Sequence, residues 1–164
     1  MSGLPGWLPP LVLLSDYEGD WETYVEAVYE YFKKDFIESS PVFETKVVGL
    51  KRLPYFKGKE YTFWHVTSEG PEDEERVPDL RRCERIRWPR PIIEHPEQIK
   101  CWPNKHGGER RIVLWLYDHD FVVILADRKR YMLLWTAYFV DRTHTRGKLL
   151  KEYEDYQKRL TPPF

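Results

Sequence analysis

Arg111-Ile-Val-Leu-Trp-Leu-Tyr117, Phe121-Val-Val-Ile-Leu-Ala126 and Tyr131-Met-Leu-Leu-Trp-Thr-Ala-Tyr-Phe-Val140 follow one another with only Asp118-His119-Asp120 and Asp127 to Arg130 between them. Apolar, β-branched and aromatic residues separated by short polar breaks are the signature of a three-stranded meander. The runs are nearly continuous rather than alternating, which predicts central strands covered at least partly on both faces. His106-Gly107-Gly108, just upstream, marks the turn that leads into the first of them.

Outward from this centre the periodicity changes. Leu149, Leu150, Tyr153, Tyr156 and Leu160 form a helical stripe that begins near Thr145, with Pro162-Pro163 as its stop. On the N-terminal side, Trp21, Tyr24, Val25, Val28, Phe32 and Phe36 predict an amphipathic helix. Glu22, Glu26, Glu30, Lys33 and Lys34 supply its polar face, and Asp20 or a Ser15/Glu18 capping box starts it. Thr45 to Leu53 and Tyr61 to Thr67 read as the strands of a hairpin around Pro54 and Lys57-Gly58-Lys59. Ser68 to Pro78, with the acidic run Glu72 to Glu75, reads as a surface loop. Asp79 caps a short arginine-rich helix that Pro89 and Pro91 stop, and Ile92-Ile93 forms a further apolar patch.

The expectation is an α+β fold with an antiparallel sheet of about four to five strands, an N-terminal amphipathic helix, a short arginine-rich helix and a C-terminal helix. The 164 residues, 41% hydrophobic and 16% aromatic, suit one domain, with residues 1–14 as an extended N-terminal segment. That aromatic content argues against global disorder. No apolar run has the roughly 20 residues of a membrane span, and no export signal is legible, so a soluble cytoplasmic protein without membrane attachment is expected. Cys83 and Cys101 are too few to staple a secreted scaffold.

A net charge of -1 conceals a polarised chain. Residues 1–80 carry 8 Lys/Arg against 16 Asp/Glu, whereas residues 81–151 carry 16 against 8. Local potential governs contact with a polyanion, so the second segment is a candidate nucleic-acid face. Within it, Arg81, Arg82, Arg85, Arg87 and Arg90 crowd around Trp88. At helical spacing two or three of them could converge on one phosphate while Trp88 stacks on a base. The competing reading pairs these arginines with Glu84 and the acidic run 72–75.

His65, near the end of a predicted strand, is either a packed histidine or a general base. His144, beside Arg142, Arg146 and Lys148, is a second imidazole in cationic surroundings. Two imidazoles, several cations and a hydroxyl such as that of Thr136 suit metal-independent RNA cleavage by attack of the 2′-hydroxyl. Cys83, His95, Cys101 and His106 lack the spacing of a zinc knuckle. Glycine-rich phosphate loops, nucleophile elbows and dinucleotide fingerprints are missing, which disfavours kinases, α/β-hydrolases and dehydrogenases.

Phe63-Trp64-His65, Arg82-Cys-Glu-Arg85-Ile-Arg-Trp88, Leu133-Leu-Trp-Thr-Ala-Tyr138 and Lys148-Leu-Leu-Lys-Glu-Tyr-Glu154 together resemble the late blocks of the phage-associated branch of the barnase/EndoU/colicin/RelE-like nuclease superfamily, across roughly residues 45 to 155. The resemblance implies a helix packed on a small antiparallel sheet and a metal-independent ribonuclease, often a toxin, needing no cofactor. It implies a base at His65, phosphate binding at Arg82 and Arg85, a site hydroxyl at Thr136, and His144 or Arg146 as further candidates. RNA is the implied ligand and an immunity or antitoxin protein a further partner. Trp135 stands where that pattern has a small residue. Alternatives from other classes are a non-catalytic nucleic-acid-binding module and an accessory protein that binds a protein partner.

Overall fold

The computed structural model describes residues 3–71 and 75–161. Six strands form one mixed sheet: β1 (Val42–Phe43), β2 (Lys46–Gly49), β5 (Lys100–His106), β6 (Glu109–Leu116), β7 (Phe121–Asp127) and β8 (Met132–Phe139). Their order is β1-β2-β8-β7-β6-β5. A second, two-stranded sheet pairs β3 (Ser68–Glu69) with β4 (Val77–Pro78). Among the described residues, five α-helices complete an α+β architecture: α1 (Trp21–Phe36), α2 (Tyr61–Thr67), α3 (Leu80–Glu84), α4 (Pro89–Glu94) and α5 (Thr143–Leu160).

The meander β6-β7-β8 forms as its composition demands, and helices lie on both faces. On one face Leu114, Phe121, Val123, Leu125 and Leu134 pack with Tyr24, Val28, Phe32 and Phe36 of α1 and with Phe63, Ile86 and Ile92 of α2 to α4. On the other, Trp102, Val113, Trp115 and Val122 pack with Leu149, Leu150, Tyr153 and Tyr156 of α5. Buried apolar side chains of this size contribute about 1.5–3 kcal/mol each, so both helical stripes are held by burial more than by intrinsic propensity. The N-terminal residues join this core. Leu8 and Val12 are buried, the Tyr24 hydroxyl donates to the Val12 carbonyl at 2.8 Å, and the Val12 amide donates to the Glu84 carbonyl at 2.9 Å.

The sheet differs from the expected antiparallel one in two ways. β2 pairs with β8 in parallel, Val48 opposite Met132 and Gly49 opposite Leu133, and no local pattern announces a partner so distant in sequence. β5 pairs with β6 along its whole length, from Lys100 opposite Trp115 to His106 opposite Glu109. It is an edge strand of mostly polar residues, which tolerates Pro103 and buries only Trp102 deeply.

The predicted hairpin of Thr45 to Leu53 with Tyr61 to Thr67 is replaced. β2 turns back on β1, and Tyr61 to Thr67 is the helix α2. Thr62, Phe63, Val66 and Thr67 are its buried residues, a one-sided helical spacing that a strand reading overlooks. Its first turn is satisfied from outside: the Tyr61 and Thr62 amides each donate at 3.0 Å to the Arg52 and Lys51 carbonyls respectively, and the Lys51 amide donates to the Thr62 hydroxyl at 2.8 Å. Ser15 and Glu18 form no capping box either. Leu14–Tyr17 is a 3-10 turn closed by Glu18 in the left-handed region, and α1 starts after Asp20. Pro89 and Pro91 end one helical segment and open another, α4, in whose first turn they sit. Glu72, Asp73, Glu74, Pro162 and Pro163 lie outside the described residues, so the acidic-loop and C-terminal-stop expectations at those positions do too.

Candidate functional site

β8 pairs with β2 only through Met132 and Leu133, so along its later residues the edge away from β7 is taken by α2 and α3. This corner holds the candidate chemistry. A register shift in β7 between Ile124 and Leu125, opposite Thr136 and Leu134, leaves Trp135 as the extra residue of β8. The His65 imidazole lies 5.5 Å from the Trp135 ring and 5.7 Å from the Tyr61 ring, nearly parallel to the latter at 27°. Arg111 of β6 places its guanidinium 4.5 Å from the centre of Trp135. Thr136 follows Trp135 directly, half-buried, and shares a strand face with Tyr138 two residues on.

Two guanidiniums gather the carbonyls released at the C-terminal end of α2. Arg82 donates to the Ser68 carbonyl at 2.6 Å and more weakly to that of His65 at 3.4 Å. Arg76 donates to the His65 carbonyl at 2.8 Å, to that of Gly70 at 2.8 Å and to the Ser68 hydroxyl at 3.1 Å. The Arg82 Nε lies 3.3 Å from a carboxylate oxygen of Asp79, which also caps α3 by accepting from the Arg81 and Arg82 amides at 2.9 and 3.4 Å. Burial lowers the Arg82 pKa, and Asp79 opposes the shift. Its guanidinium stands 5.9 Å from the Tyr138 ring, and burial, then Glu152, raises the Tyr138 hydroxyl pKa.

The corner therefore unites His65, Arg82, Trp135 and Tyr138, with Thr136 on the same strand. The other arginines do not converge with them. Arg85 stacks 4.6 Å from Phe139 and 5.2 Å from Trp88 and donates to the Arg81 carbonyl at 3.0 Å; Arg81 also stacks on Phe139, at 4.9 Å. Phe139 and Tyr138 point to opposite faces of β8, so Arg82 and Arg85 straddle the strand instead of gripping one phosphate. Arg87 stacks on Tyr31 of α1 at 4.7 Å. Arg90 donates at 2.7 Å to both the Asp35 carbonyl and the Ser39 hydroxyl, beside Glu94 at 3.5 Å. Trp88 is 2% exposed, donates from its indole nitrogen to the Pro9 carbonyl at 2.8 Å and meets Phe121 edge to face, so no base can stack on it. Rings of β8 and α1, namely Tyr138, Phe139 and Tyr31, form the bed for these guanidiniums, which explains why the row is absorbed into the fold.

His144, Arg142 and Lys148 are exposed around the first turns of α5, beyond the far end of β8. Arg146 ties α5 to the β6-β7 connection through Asp120 and stacks 4.1 Å from Tyr117. Four residues, or about 13 Å of strand, already separate Trp135 from Phe139 at that end, so the pairing of His65 with His144 as partners over one edge is not built. Among the described residues, no group of three or more His, Cys, Asp or Glu is placed to hold a metal ion, and no helix is long and apolar enough to cross a membrane. Cys83 is buried, and desolvation pushes its thiol pKa up to about 12.

His65 also borders a groove of about 1010 Å³ between α1, residues 54–59 and α2, whose walls include Trp21, Tyr55, Phe56, Tyr61 and Trp64. Tyr55 and Phe56, on the segment read from the sequence only as a turn, are more than half exposed. Arg111, Tyr138 and this segment were not legible as site residues. For Arg111 a signal existed, because its register opposite Ala126, itself opposite Leu133, sets it near Trp135 once the meander is drawn. Compared with known proteins, the chain matches no family model, no curated protein and no solved structure.

Proposed function

We propose that the protein is a metal-independent endoribonuclease with His65 as its base, as its resemblance to the barnase/EndoU/colicin/RelE-like nucleases suggests. The observation that carries the reading is the position of His65: an imidazole held between Tyr61 and Trp135, at the border of a groove large enough for nucleotides, with cations close by. In this reading the imidazole takes the proton of a 2′-hydroxyl, the resulting oxygen attacks the adjacent phosphorus, and the bond to the 5′-oxygen breaks to leave a 2′,3′-cyclic phosphate. The leaving oxygen needs a proton, and Tyr61, stacked on His65 and capped at 4.1 Å by the Lys51 ammonium, is the adjacent phenol. Lys51 and Arg111, the latter 3.4 Å from a Glu109 carboxylate oxygen, offset the charge gathered on the non-bridging phosphate oxygens. Arg82 acts one step back, fixing the α2 end that carries His65. RNA is the proposed ligand and the cytoplasm the proposed compartment, with an immunity or antitoxin protein as a further partner.

One observation favours a second reading, a nucleic-acid-binding module without catalysis: the guanidiniums nearest His65 spend donors on backbone carbonyls. Incubation of the protein with RNA in excess EDTA separates the two. Cleavage leaving 2′,3′-cyclic ends, reduced about 10²- to 10⁴-fold in His65→Ala, is expected for the enzyme. Intact RNA that is nonetheless bound, with an affinity falling steeply as salt rises, would establish the module instead.

A further inference from the structure

The segment Lys51-Arg-Leu-Pro-Tyr-Phe-Lys57 carries Tyr55 and Phe56 at 51% and 58% exposure, and Phe56 is held in place by its bonding. Phe56 and Lys59 exchange amide-to-carbonyl bonds of 3.0 Å in both directions, and the Trp64 indole donates to the Phe56 carbonyl at 2.8 Å. Trp64 also meets the Phe56 ring edge to face at 5.6 Å, which braces one side and leaves the rest open. An aromatic ring held rigidly in water gives up hydrophobic burial without gaining freedom, a combination that suits contact with a ligand.

Charge selects the ligand. Lys51, Arg52 and Lys57 are exposed on the same seven-residue segment; Lys57 lies 5.4 Å over Phe56 and Lys51 lies 4.1 Å over Tyr61. Glu60 lies 3.8 Å from Arg52, and Glu22 and Glu26 stand on the opposite wall of the groove, where Lys59 engages Glu26. Cations flanking open aromatic faces match the alternation of phosphate and base along a nucleic-acid strand. A protein interface would instead be depleted in lysine, whereas two of the three cations here are lysines.

We propose that Tyr55 and Phe56 form a base-stacking subsite at the mouth of the groove, flanked by Lys51, Arg52 and Lys57, which accepts unpaired nucleotides and rejects duplex because bases stacked within a duplex keep their faces covered. The subsite deepens the nucleic-acid reading above and rests on it, yet it does not require catalysis. It makes Phe56 and Tyr55 determinants of strand selectivity while His65 remains the reacting group.

The test uses the full chain and a fluorescein-labelled oligodeoxythymidylate of about a dozen nucleotides, alone or annealed to its complement. Without 2′-hydroxyls this probe cannot be cut by the proposed chemistry, so binding is measured apart from cleavage. Fluorescence anisotropy is expected to show the single strand bound about tenfold more tightly than the duplex. Phe56→Ala should lower single-strand affinity by about five- to tenfold, with duplex affinity unchanged and the thermal midpoint lowered by only about 1–6 °C for the lost Trp64 contact, and Phe56→Trp should retain binding and show quenched emission on addition of the strand. Equal affinity for strand and duplex, unchanged binding in Phe56→Ala, or no binding of the strand would each overturn the subsite, even if RNA is cleaved. Failure of the ribonuclease reading has a different signature, namely RNA left intact while the deoxy strand still binds in a Phe56-dependent way.

Discussion

Two stretches of this chain set cations beside aromatic rings, and the fold uses them in opposite ways. Arg81 to Arg90 lies against the sheet edge and α1: Arg81 and Arg85 rest on Phe139, Arg87 on Tyr31, Arg82 beside Tyr138, and Trp88 is buried. Lys51 to Lys57 stands outside, with Tyr55 and Phe56 more than half exposed and Lys57 over the Phe56 ring. In the first stretch aromatic rings consume guanidiniums; in the second they remain available. Cation-aromatic interleaving is therefore ambiguous until the third dimension shows which rings are covered. It follows that damage to the first stretch should appear as lost stability and damage to the second as lost binding.

The largest effect is expected from Arg82→Ala. It removes one of the two guanidiniums that donate to the Ser68 carbonyl, Arg76 being the other, and leaves the half-buried Asp79 without its ion-pair partner, at a cost of about 2–4 kcal/mol. For a chain of this size that lowers the thermal midpoint by roughly 4–16 °C. Arg82→Lys should recover only part of the loss, because one ammonium cannot reach both the carbonyls and the carboxylate as a planar fork does. A variant as stable as wild type but deficient in RNA binding would break the comparison by moving Arg82 into the second group.

The far end of the same row offers a pH test. Burial raises the Asp35 carboxyl from its ordinary 3.8 to about 6, against the pull of Arg90 and Arg87. The folded protein then holds a proton that the unfolded chain releases, so this group's contribution makes stability fall as pH rises from about 4 to about 6 and leaves it lower above that range. Asp35→Asn should raise stability at pH 7.5 by roughly 1–3 kcal/mol and by little near pH 3.5, as read from thermal unfolding at both values. Lower stability of the variant at pH 7.5 would mean that Arg87 and Arg90 hold an ionised carboxylate, and that the row's charges matter more than its stacking.

Local physical chemistry explains how much of this was legible. The 3.6-residue stripes of α1 and α5, the apolar runs of β6 to β8 and the Asp79 cap each declare themselves within a few residues. Tyr61 to Thr67 does not, because seven residues rich in aromatics and β-branching satisfy strand and helix spacing alike until Lys51 and Arg52 supply acceptors for its first amides. β5 hid behind polar residues and Pro103, although the Gly107-Gly108 turn pointed to a strand on either side of it. His65 was legible as a titratable candidate, but its neighbours Trp135 and Arg111 come from β8 and β6, and only the register brings them together.

The smallest effect on stability, and the sharpest contrast with Arg82, belongs to the double variant Lys51→Gln and Lys57→Gln. Both side chains are exposed, and their recorded contacts are with ring faces, so the thermal midpoint should stay within the shift expected of about 0.5 kcal/mol. If each ammonium neutralises one phosphate, the logarithm of the binding constant against the logarithm of salt concentration should lose about 1.4 units of slope for a single strand, with the affinity loss greatest at low salt. A slope equal to that of wild type would show that these lysines only cover Tyr61 and Phe56, which would put the outer segment in the same structural role as the arginine row and erase the distinction between them.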